Sequence, residues 1–307
     1  MEHSSQPYAR IIVNPVAGSG STGRKWPHIR ELLTQSGFSF DYSHTEDEGH
    51  AAELAREAAG LGYEMVVAAG GDGTLNEVVN GLVGSGRADS VTLGILNTGS
   101  ACDFAHFLGI PRDYNQACMR LLNPRKVPVD VGLVECQSGG QPVHRFFINA
   151  ASLGLDGEVV ETVAKGPKLI RGTIPYVIGL LRSLVKYRNK SVTLCIDDEQ
   201  GDIRICTVVI ANGGFFGGRM NVAPDADVHD GLFEVMIVED MGKLELLRAF
   251  PRVYRGTHVT HPKVRMQRTA KLTVESAERV LVQADGELMG ELPATFQVLP
   301  SALMVAV

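Results

Sequence analysis

The chain has 307 residues, of which 44% are hydrophobic and 21% are charged. This length can bury a large core and predicts two domains, and the composition is typical of a folded globular protein with little disorder outside its termini. The formal net charge of −6 excludes a general attraction to nucleic acid, although a local basic face could still bind an anionic surface.

The first ten residues, MEHSSQPYAR, lack the charged and apolar regions of a signal peptide. No apolar run approaches the roughly 20 residues that a membrane span needs. Five cysteines without CxxC spacing are typical of a reducing compartment. We therefore expect a cytoplasmic protein, with any membrane contact peripheral and at the inner membrane face.

Extended and helical patterns alternate over residues 1–130, which we assign to the first domain. The buried-strand patterns are ARIIVN, YEMVVAA and VTLGIL. Helical spacing occurs in GHAAELAREAAG and TLNEVVNGLV. This alternation predicts parallel βαβ units, so the first domain is expected to be α/β, with a parallel sheet and helices on both faces.

The pattern changes after about residue 130 to strand-like segments with few helical interruptions. Examples are RFFINAASLG, SVTLCID, LFEVMIVED and RVLVQADGE. These segments predict a predominantly antiparallel, β-rich second domain over residues 131–307. The last strand is a candidate to return to the first domain.

The stretch VVAAGGDGTLNEVVNGL interrupts an apolar run with three glycines, Asp72 and Thr74, and then resumes as a helix. Ligands of open α/β sheets bind at such strand ends. Glycine permits close backbone approach, and amides at a helix start can face phosphate. The turn therefore predicts an anion site in which Asp72 meets a cation or a ligand hydroxyl. A glycine-rich turn with Thr74 as helix N-cap would explain the same residues.

A second glycine-rich segment, VNPVAGSGSTGRK, follows the first predicted strand. Its glycines fit the GxGxxG spacing of a dinucleotide-binding fold, and Asp41 lies near the distance of a ribose-binding acid. However, Asn14-Pro15 precedes the glycines, and this fingerprint does not account for GGDGT. The segment also approaches a Walker A loop, but Arg24 stands where lysine is needed. An NAD(P)-binding oxidoreductase remains an alternative.

Two acidic turns stand out in the second domain. DADVHDG places Asp225, Asp227 and Asp230 in one loop, where carboxylates suit Mg²⁺ and where a solvated acidic turn is equally compatible. ADGE places Asp285 and Glu287 two positions apart at the exit of a strand. That spacing suits either acid–base chemistry or an ordinary hairpin turn.

The motifs together resemble those of the bacterial diacylglycerol kinase-like lipid kinases, which share a catalytic domain with sphingosine and ceramide kinases. In family order they are NPVAG, GGDGTLNEVVNGL, GILNTGSACDFA, INAASLGLDGEVV, APDADVHDGLFEV and ADGELMGELPATFQVLPSALMV. The resemblance implies an α/β nucleotide-binding domain, a C-terminal β-sandwich that binds the lipid substrate, and an active site in the cleft between them. The implied reaction transfers the γ-phosphoryl group of ATP, with Mg²⁺, to a diacylglycerol-like lipid in phospholipid biosynthesis.

Nucleotide-binding residues are carried over where the motifs match. Those expected to surround ATP are Asn14, Pro15, Val16, Ala17, Gly18, Thr45, Gly71, Asp72, Gly73, Thr74, Leu75, Asn76, Glu77 and Ser100. Asp72 is also expected to help organise magnesium and nucleotide. All these residues fall at predicted strand ends on the same sheet edge.

The resemblance also assigns roles to the acidic turns. It implies a magnesium site formed by Asp230 and by backbone oxygens of Asp227 and Leu232. A lipid hydroxyl is a poor nucleophile, so a carboxylate must accept its proton during phosphoryl transfer. Glu287 is expected to be that acceptor and Asp285 its close partner, with the two roles exchangeable.

The third motif departs from the family pattern PxGTxNDFA and reads NTGSACDFA. Ser100 keeps the hydroxyl and Asp103 is retained, but Asn97 and Cys102 replace proline and asparagine. Cys102 is interpreted as a small packing residue, because no basic partner is evident nearby. The departure leaves open a second alternative, a nonenzymatic nucleotide-sensing module.

Residues 165–190, KGPKLIRGTIPYVIGLLRSLVKYRNK, carry seven basic residues and no acid. A helix beginning near Pro175 would place an apolar face beside Arg182 and Lys186. This face either packs on the second domain or orients the protein on an anionic membrane. The expected partners are therefore a lipid substrate and a peripheral membrane surface, with a homodimer left open and no nucleic acid.

Overall fold

The computed structural model describes residues 8–165, 184, 186–197 and 199–307. The chain divides into two compact units, Met1–Val129 with Ser301–Val307 and Asp130–Pro300. No helix in the described part of the chain is both long enough and apolar enough to cross a bilayer. The amphipathic face predicted within residues 165–190 lies largely outside the described residues, so its role stays a prediction.

The first unit alternates strands and helices. Its strands are β1 (Ala9–Val13), β2 (Phe40–His44), β3 (Met65–Gly70) and β4 (Thr92–Asn97). Its helices are α1 (Ala17–Gln35), α2 (His50–Leu61), α3 (Asp72–Gly84), α4 (Asp103–Phe107) and α5 (Tyr114–Leu122). Every residue of β3 and β4 is buried, which is typical of strands covered on both faces. The prediction of an α/β first domain is confirmed.

The strands of the first unit lie in the order β4-β3-β1-β2, and each neighbouring pair runs parallel. Their registers keep the carboxyl ends level. Val13 lies opposite His44 on one side and Ala69 on the other, and Gly70 lies opposite Asn97. The loops that follow these four strands therefore emerge at one edge of the sheet.

Helix α1 is held on the sheet by one apolar stripe. Trp26, Ile29 and Leu33 are spaced three and four residues apart, as expected for the buried face of an amphipathic helix. They belong to a single buried cluster with Ile11 of β1 and Met65 of β3. This packing fixes the amino-terminal end of α1 close to the loop edge of the sheet.

The second unit is built mainly of strands. They are β5 (Lys126–Ser138), β6 (Gln141–Phe147), β7 (Ala150–Gly154), β8 (Lys190–Ile196), β9 (Glu199–Ala211), β10 (Phe215–Phe216), β11 (Met220–Asn221), β12 (Phe233–Glu239), β13 (Val264–Thr269), β14 (Lys271–Glu275), β15 (Leu281–Ala284) and β16 (Glu287–Ala306). The described helical segments are α6 (Leu155–Ala164), α7 (Lys243–Ala249) and the 3₁₀ turns Phe250–Arg255 and Thr257–Thr260.

The strands of the second unit pair antiparallel. One path runs β13-β12-β9-β7-β15-β16, while β8 joins β9 to β14 and β6 pairs with β5. The rings of Phe147 and Phe233 stack in the buried core with their centroids 5.4 Å apart. The prediction of a predominantly antiparallel, β-rich second domain is confirmed.

The last strand serves both units. β16 begins beside β15 in the second unit, and its end joins the sheet of the first unit. There Met304 lies opposite Thr92 and Val305 opposite Leu93, in parallel with β4. Val305 is fully buried, so this end of β16 contributes to the core of the α/β unit.

Candidate functional site

The loop after β1 is tied to the start of α3 through Asn14. Its backbone N–H donates to the carbonyl of Ala69 (3.0 Å), and its Nδ2 donates to Oγ1 of Thr74 (2.9 Å). Its Oδ1 accepts from the backbone N–H of Val16 (3.2 Å). Thr74 is buried, so its bond to Asn14 forms away from bulk water. Asn14 therefore holds two of the predicted turns together.

The turn after β4 contacts the turn after β3 through backbone atoms. The carbonyl of Gly70 accepts from the N–H groups of Thr98 (3.1 Å) and Gly99 (2.9 Å). A Cβ at position 99 would overlap the backbone of Gly71 and lie 2.9 Å from its nitrogen. The hydroxyls of Thr22 and Thr98 share a hydrogen bond of 2.7 Å. Only glycine at position 99 allows these turns to pack so closely.

The start of α1 brings the third turn to this point. Gly18, Ser19 and Gly20 have left-handed backbone angles, with φ of 58°, 55° and 80°, so the helix is kinked at its start. A Cβ at Gly18 would lie 3.0 Å from the carbonyl oxygen of Thr98 and 3.2 Å from Cα of Gly99. Three glycine-containing turns, at residues 14–20, 70–74 and 97–100, thus converge at one sheet edge.

The convergence places the start of α3 at this edge of the sheet. Gly71 is the N-cap of α3 and supplies no side-chain cap, so the positive end of the helix dipole lies at this turn. A Cβ at Gly73 would meet nothing within 4 Å, and one at Gly71 would make only an ordinary contact at 3.5 Å. Protein packing therefore does not require glycine at either position, whereas a closely approaching ligand would.

Asn97 and Cys102, which depart from the family motif, occupy different environments. Oδ1 of Asn97 is buried and has no hydrogen-bond partner among the described residues, as expected for a group that awaits a ligand or water. Sγ of Cys102 lies 3.8 Å from the carbonyl of Gly70. Burial raises the pKa of the Cys102 thiol to about 12. The interpretation of Cys102 as a packing residue is confirmed.

The other residues predicted to bind nucleotide divide into two groups. Thr45 directly follows β2, and its N–H donates to the carbonyl of Val13 (2.9 Å). The carbonyl of Ser100 accepts from the Arg112 guanidinium. Eight further predicted residues lie at the turns of residues 14–20 and 70–74, namely Pro15, Val16, Ala17, Gly18, Gly71, Asp72, Gly73 and Thr74. Those engaged inside the unit are Leu75 and Asn76, which are buried, and Glu77, whose Oε2 accepts from the backbone N–H of Ala51 (3.1 Å).

Asp41 does not lie where a dinucleotide-binding acid must lie. It is the second residue of β2, opposite Arg10, and its Oδ2 accepts from the Tyr63 hydroxyl (2.9 Å). A ribose-binding acid belongs at the carboxyl end of the strand, whereas Asp41 lies near its amino end. The position of Asp41 therefore does not suit the ribose-binding role that the alternative function needs, because distance along the sequence does not fix which end of a strand a residue occupies.

The ADGE motif forms a two-residue hairpin turn between β15 and β16. Ala284 pairs with Glu287, and Asp285 and Gly286 have positive φ of 47° and 86°. The N–H of Gly286 donates to Oε1 of Gln283 (2.8 Å), whose Nε2 donates to Oγ of Ser152 (2.6 Å). Gln283 is fully buried. The turn is therefore held from below by a buried amide.

The Asp285 carboxylate binds three consecutive backbone amides. Oδ2 accepts from the N–H of Ile148 (2.9 Å), and Oδ1 accepts from those of Asn149 (3.1 Å) and Ala150 (2.9 Å). The N–H of Asp285 donates back to the carbonyl of Ala150 (2.8 Å). Charge-assisted bonds of this kind are strong, so Asp285 ties the turn to the strand entry before β7.

Glu287 makes a different kind of contact from Asp285. Its Oε2 forms an ion pair of 2.8 Å with Nη1 of Arg145 on β6, and one third of its side chain is exposed. This position leaves the Glu287 carboxylate open to an approaching hydroxyl while Arg145 fixes its orientation. The two acids of the motif lie in one turn but have different partners, since Asp285 binds backbone amides and Glu287 binds an arginine.

Two buried asparagines beside this turn were not singled out from the sequence. Nδ2 of Asn212 donates to the carbonyls of Asp130 (2.8 Å) and Ile148 (2.7 Å), and its N–H donates to the carbonyl of Asn149 (2.9 Å). Oδ1 of Asn149 and of Asn212 has no hydrogen-bond partner among the described residues. A polar amide directly after a buried apolar run, as in INAAS and IANGG, is the signal that could have found them.

The acidic side chains of the loop after β11 bind other groups of the same chain. Oδ1 of Asp230 accepts from the N–H of Leu232 (2.9 Å), and Oδ2 pairs with the Arg268 guanidinium. Oδ1 of Asp227 accepts from the N–H of His229 (3.0 Å). No group of three acidic, histidine or cysteine side chains among the described residues is arranged to hold a metal ion. The Arg268 guanidinium already neutralises the Asp230 carboxylate, which disfavours a cation at that side chain. The magnesium site expected from Asp230 and the backbone oxygens of Asp227 and Leu232 stays a prediction.

Replacing Asp230 by asparagine tests this assignment. We expect the magnesium concentration for half-maximal activity to stay unchanged and the free energy of unfolding to fall by about 1 kcal/mol through loss of the ion pair. The checks are a magnesium titration of activity and chemical denaturation, with Asp202→Asn as the control for an exposed acid. A raised magnesium requirement would instead identify Asp230 as a cation ligand.

Both parts of the chain match families of known proteins. Residues 8–134 match the family "Diacylglycerol kinase catalytic domain", and residues 149–307 match "YegS C-terminal NAD kinase beta sandwich-like domain". A diacylglycerol kinase of Bacillus subtilis is 32% identical over 94% of this chain and 92% of its own length. One of Staphylococcus carnosus is 31% identical over 94% and 91%.

The fold is shared with solved structures. A crystal structure described as a diacylglycerol kinase from Bacillus anthracis str. Sterne superimposes with a TM-score of 0.73. The match covers 99% of this chain and 98% of that one, at 20% sequence identity. The likeness extends over both units of the chain.

Proposed function

The chain belongs to the diacylglycerol kinase family and is a lipid kinase, and we propose that it transfers the γ-phosphoryl group of ATP to the hydroxyl of a diacylglycerol-like lipid. The observation that carries the proposal is the convergence of three glycine-containing turns at the uncapped start of α3. A triphosphate needs close backbone approach and amide donors, and this edge of the first unit offers both.

In this proposal the first unit binds the nucleotide. The amides at Gly71 to Thr74 approach the phosphates, and Asn14 holds that turn in place. Mg²⁺ bound to ATP would neutralise phosphate charge during the transfer. Asp72, in the first turn of α3, meets the cation or a ligand hydroxyl. Asn97 offers its buried Oδ1 to a donor of the nucleotide.

The second unit supplies the proton acceptor. The lipid hydroxyl oxygen forms a bond to the γ-phosphorus, the bond from that phosphorus to the β,γ-bridging oxygen breaks, and ADP leaves. The hydroxyl proton passes to the Glu287 carboxylate, which is accessible and oriented by Arg145. Asp285 does not exchange roles with Glu287 in this proposal, because its two oxygens already accept three backbone N–H bonds. It is a positioning residue.

The two alternative functions receive less support. An oxidoreductase would need an acid at the carboxyl end of β2, and Asp41 lies near the amino end. A nonenzymatic sensor would bind nucleotide without phosphoryl transfer, whereas the chain belongs to a family of kinases. The retained DGE turn, with an accessible Glu287, also favours a catalyst.

The experiment that tests the function is a phosphoryl-transfer assay. The purified protein is incubated with ATP radiolabelled at the γ-phosphate and with diacylglycerol, sphingosine or ceramide in detergent micelles. We expect label in the diacylglycerol product only, and only with magnesium. Label in a sphingoid lipid would change the acceptor, and nucleotide binding with no labelled lipid would contradict the proposal.

The role of Asp285 can be distinguished from that of Glu287 by measuring the stability of a variant. Asp285→Asn should lower the free energy of unfolding by about 1–3 kcal/mol, because at least one of three amides loses its acceptor along with the charge. Activity should fall with it, since the turn that carries Glu287 is displaced. Thermal unfolding and turnover are the measurements, with Asp227→Asn as the control for an aspartate that accepts one amide. Lost turnover with unchanged stability would show that Asp285 takes part in the chemistry.

A further inference from the structure

The segment of residues 243–255 has an inner and an outer face. It comprises α7 and the 3₁₀ turn that follows. On the inner face Leu246, Ala249 and Val253 pack against a buried cluster of the second unit. On the outer face Leu244 is 71% exposed, Leu247 41% and Tyr254 45%. The inner face explains why the segment folds where it does, and the outer face remains to be explained.

The exposed apolar side chains are concentrated in this segment. The described part of the chain exposes eight large hydrophobic side chains, and three of them lie within these 13 residues. The other five are scattered along the sequence, at Val16, Tyr42, Leu61, Met119 and Leu288. Single exposed apolar residues need no explanation, whereas a cluster usually marks an interaction surface.

The same segment is strongly basic. Four exposed cations accompany the apolar side chains, namely Lys243, Arg248, Arg252 and Arg255. The one acid in the segment, Glu245, pairs with Lys263 at 2.7 Å. The three arginines form no ion pair with any described residue. A local excess of positive charge in a protein of net charge −6 fits an anionic partner.

We propose that residues 243–255, here called the α7 surface, dock the enzyme on an anionic lipid bilayer. The proposal rests on the proposed function, because a kinase of membrane lipids must reach its acceptor at a bilayer. Leucine side chains enter the boundary between headgroups and acyl chains, and tyrosine is favoured at that boundary. Arginine stems lie along the apolar surface while their charged ends reach anionic headgroups.

A second copy of the chain fits the α7 surface less well than an anionic bilayer does. A two-fold interface places the same patch of both subunits together. Lys243, Arg248, Arg252 and Arg255 of one copy would then face the same four cations of the other. The apolar area of two leucines and one tyrosine would have to overcome that repulsion. An anionic bilayer satisfies both the charge and the apolar side chains.

Vesicle sedimentation without nucleotide tests the surface directly. Wild-type protein should bind vesicles of equal parts phosphatidylglycerol and phosphatidylcholine, and should bind phosphatidylcholine vesicles weakly. Arg248→Glu with Arg252→Glu should weaken binding to the anionic vesicles at least about 25-fold, since each basic residue near an anionic surface contributes about fivefold. The matched control, Arg56→Glu with Arg120→Glu, makes the same change of net charge on exposed helix positions of the first unit.

The apolar contribution is tested by Leu244→Ser with Leu247→Ser. This pair should also weaken vesicle binding, by about tenfold or more, because two side chains no longer enter the bilayer. Leu61→Ser with Met119→Ser is the control at exposed positions elsewhere. Both α7 variants should retain wild-type melting temperatures and full activity on lipid dispersed in detergent.

The outcomes separate this proposal from the proposed function. Vesicle binding by both α7 variants equal to that of wild type would overturn the α7 surface, even if the enzyme phosphorylates lipid. A wild-type dimer that becomes monomeric in either variant would overturn it in favour of a second copy. Vesicle binding that depends on the α7 surface, in a protein that phosphorylates no lipid, would support the surface and contradict the proposed function.

Discussion

Replacing Glu287 by glutamine is expected to lower turnover about 10²-fold or more while ATP still binds. Glutamine keeps the size of the side chain and can still contact Arg145, but it cannot take a proton from the lipid hydroxyl. Glu287 is one-third exposed and pairs with Arg145 at 2.8 Å, so the change should leave the fold intact. Turnover at saturating ATP and lipid, together with ATP affinity from calorimetry, measures the effect.

Glu291→Gln is the matched control for Glu287. Glu291 lies on the same strand and also pairs with an arginine, Arg279, at 3.3 Å. Its substitution should leave turnover within about twofold of wild type, as expected for an exposed surface pair. If Glu287→Gln turns over normally at saturation, or if both variants lose activity equally, Glu287 is not the proton acceptor.

The second large effect is expected at Gly99. Gly99→Ala adds a Cβ that overlaps the backbone of Gly71, and both groups belong to main chain that cannot rotate away. Relieving such overlap costs about 1–3 kcal/mol, so KM for ATP should rise about tenfold or more as the turns separate. Steady-state kinetics with varied ATP, and the melting-temperature increase that ATP produces, are the measurements.

Gly60→Ala is the control for Gly99. A Cβ at Gly60 on α2 would meet nothing within 4 Å, so alanine should leave both stability and KM near wild type. An unchanged KM in Gly99→Ala would show that the turn after β4 does not shape the nucleotide site. Unfolding of Gly99→Ala at ordinary temperature would move the measurement to Ser100→Ala, which should weaken ATP binding if that turn contacts the nucleotide.

The placement of the site at one sheet edge was predictable from the sequence because it requires only that the strands be parallel, whatever their order. Alternation of short apolar runs with helical spacing predicts parallel strands, and parallel strands bring their carboxyl ends to one edge. Asn14, Thr45 and Gly71 lie there as that pattern requires. The spacing from the GxGxxG segment was a poorer guide at Asp41, because it did not show where β2 begins.

The different roles of Asp285 and Glu287 were not predictable from the sequence. The partners of Asp285 lie at Ile148, Asn149 and Ala150, more than 130 residues earlier in the chain. A motif read along the sequence shows two carboxylates in one turn but not the amides that approach one of them. For the same reason the sequence did not show that Glu77 caps α2, since its partner is the backbone of Ala51.

The path of β16 determines the order in which the two units can be completed during synthesis. The sheet of the first unit includes Met304 and Val305, although the rest of that unit ends at Val129. During synthesis, β4 therefore emerges long before its neighbour, and the α/β unit can be completed only after the ribosome has passed residue 305. The β-rich unit, encoded in between, has all of its own strands earlier. The unit that begins first along the messenger is therefore completed last, and deletion of residues 301–307 would remove a buried strand from it.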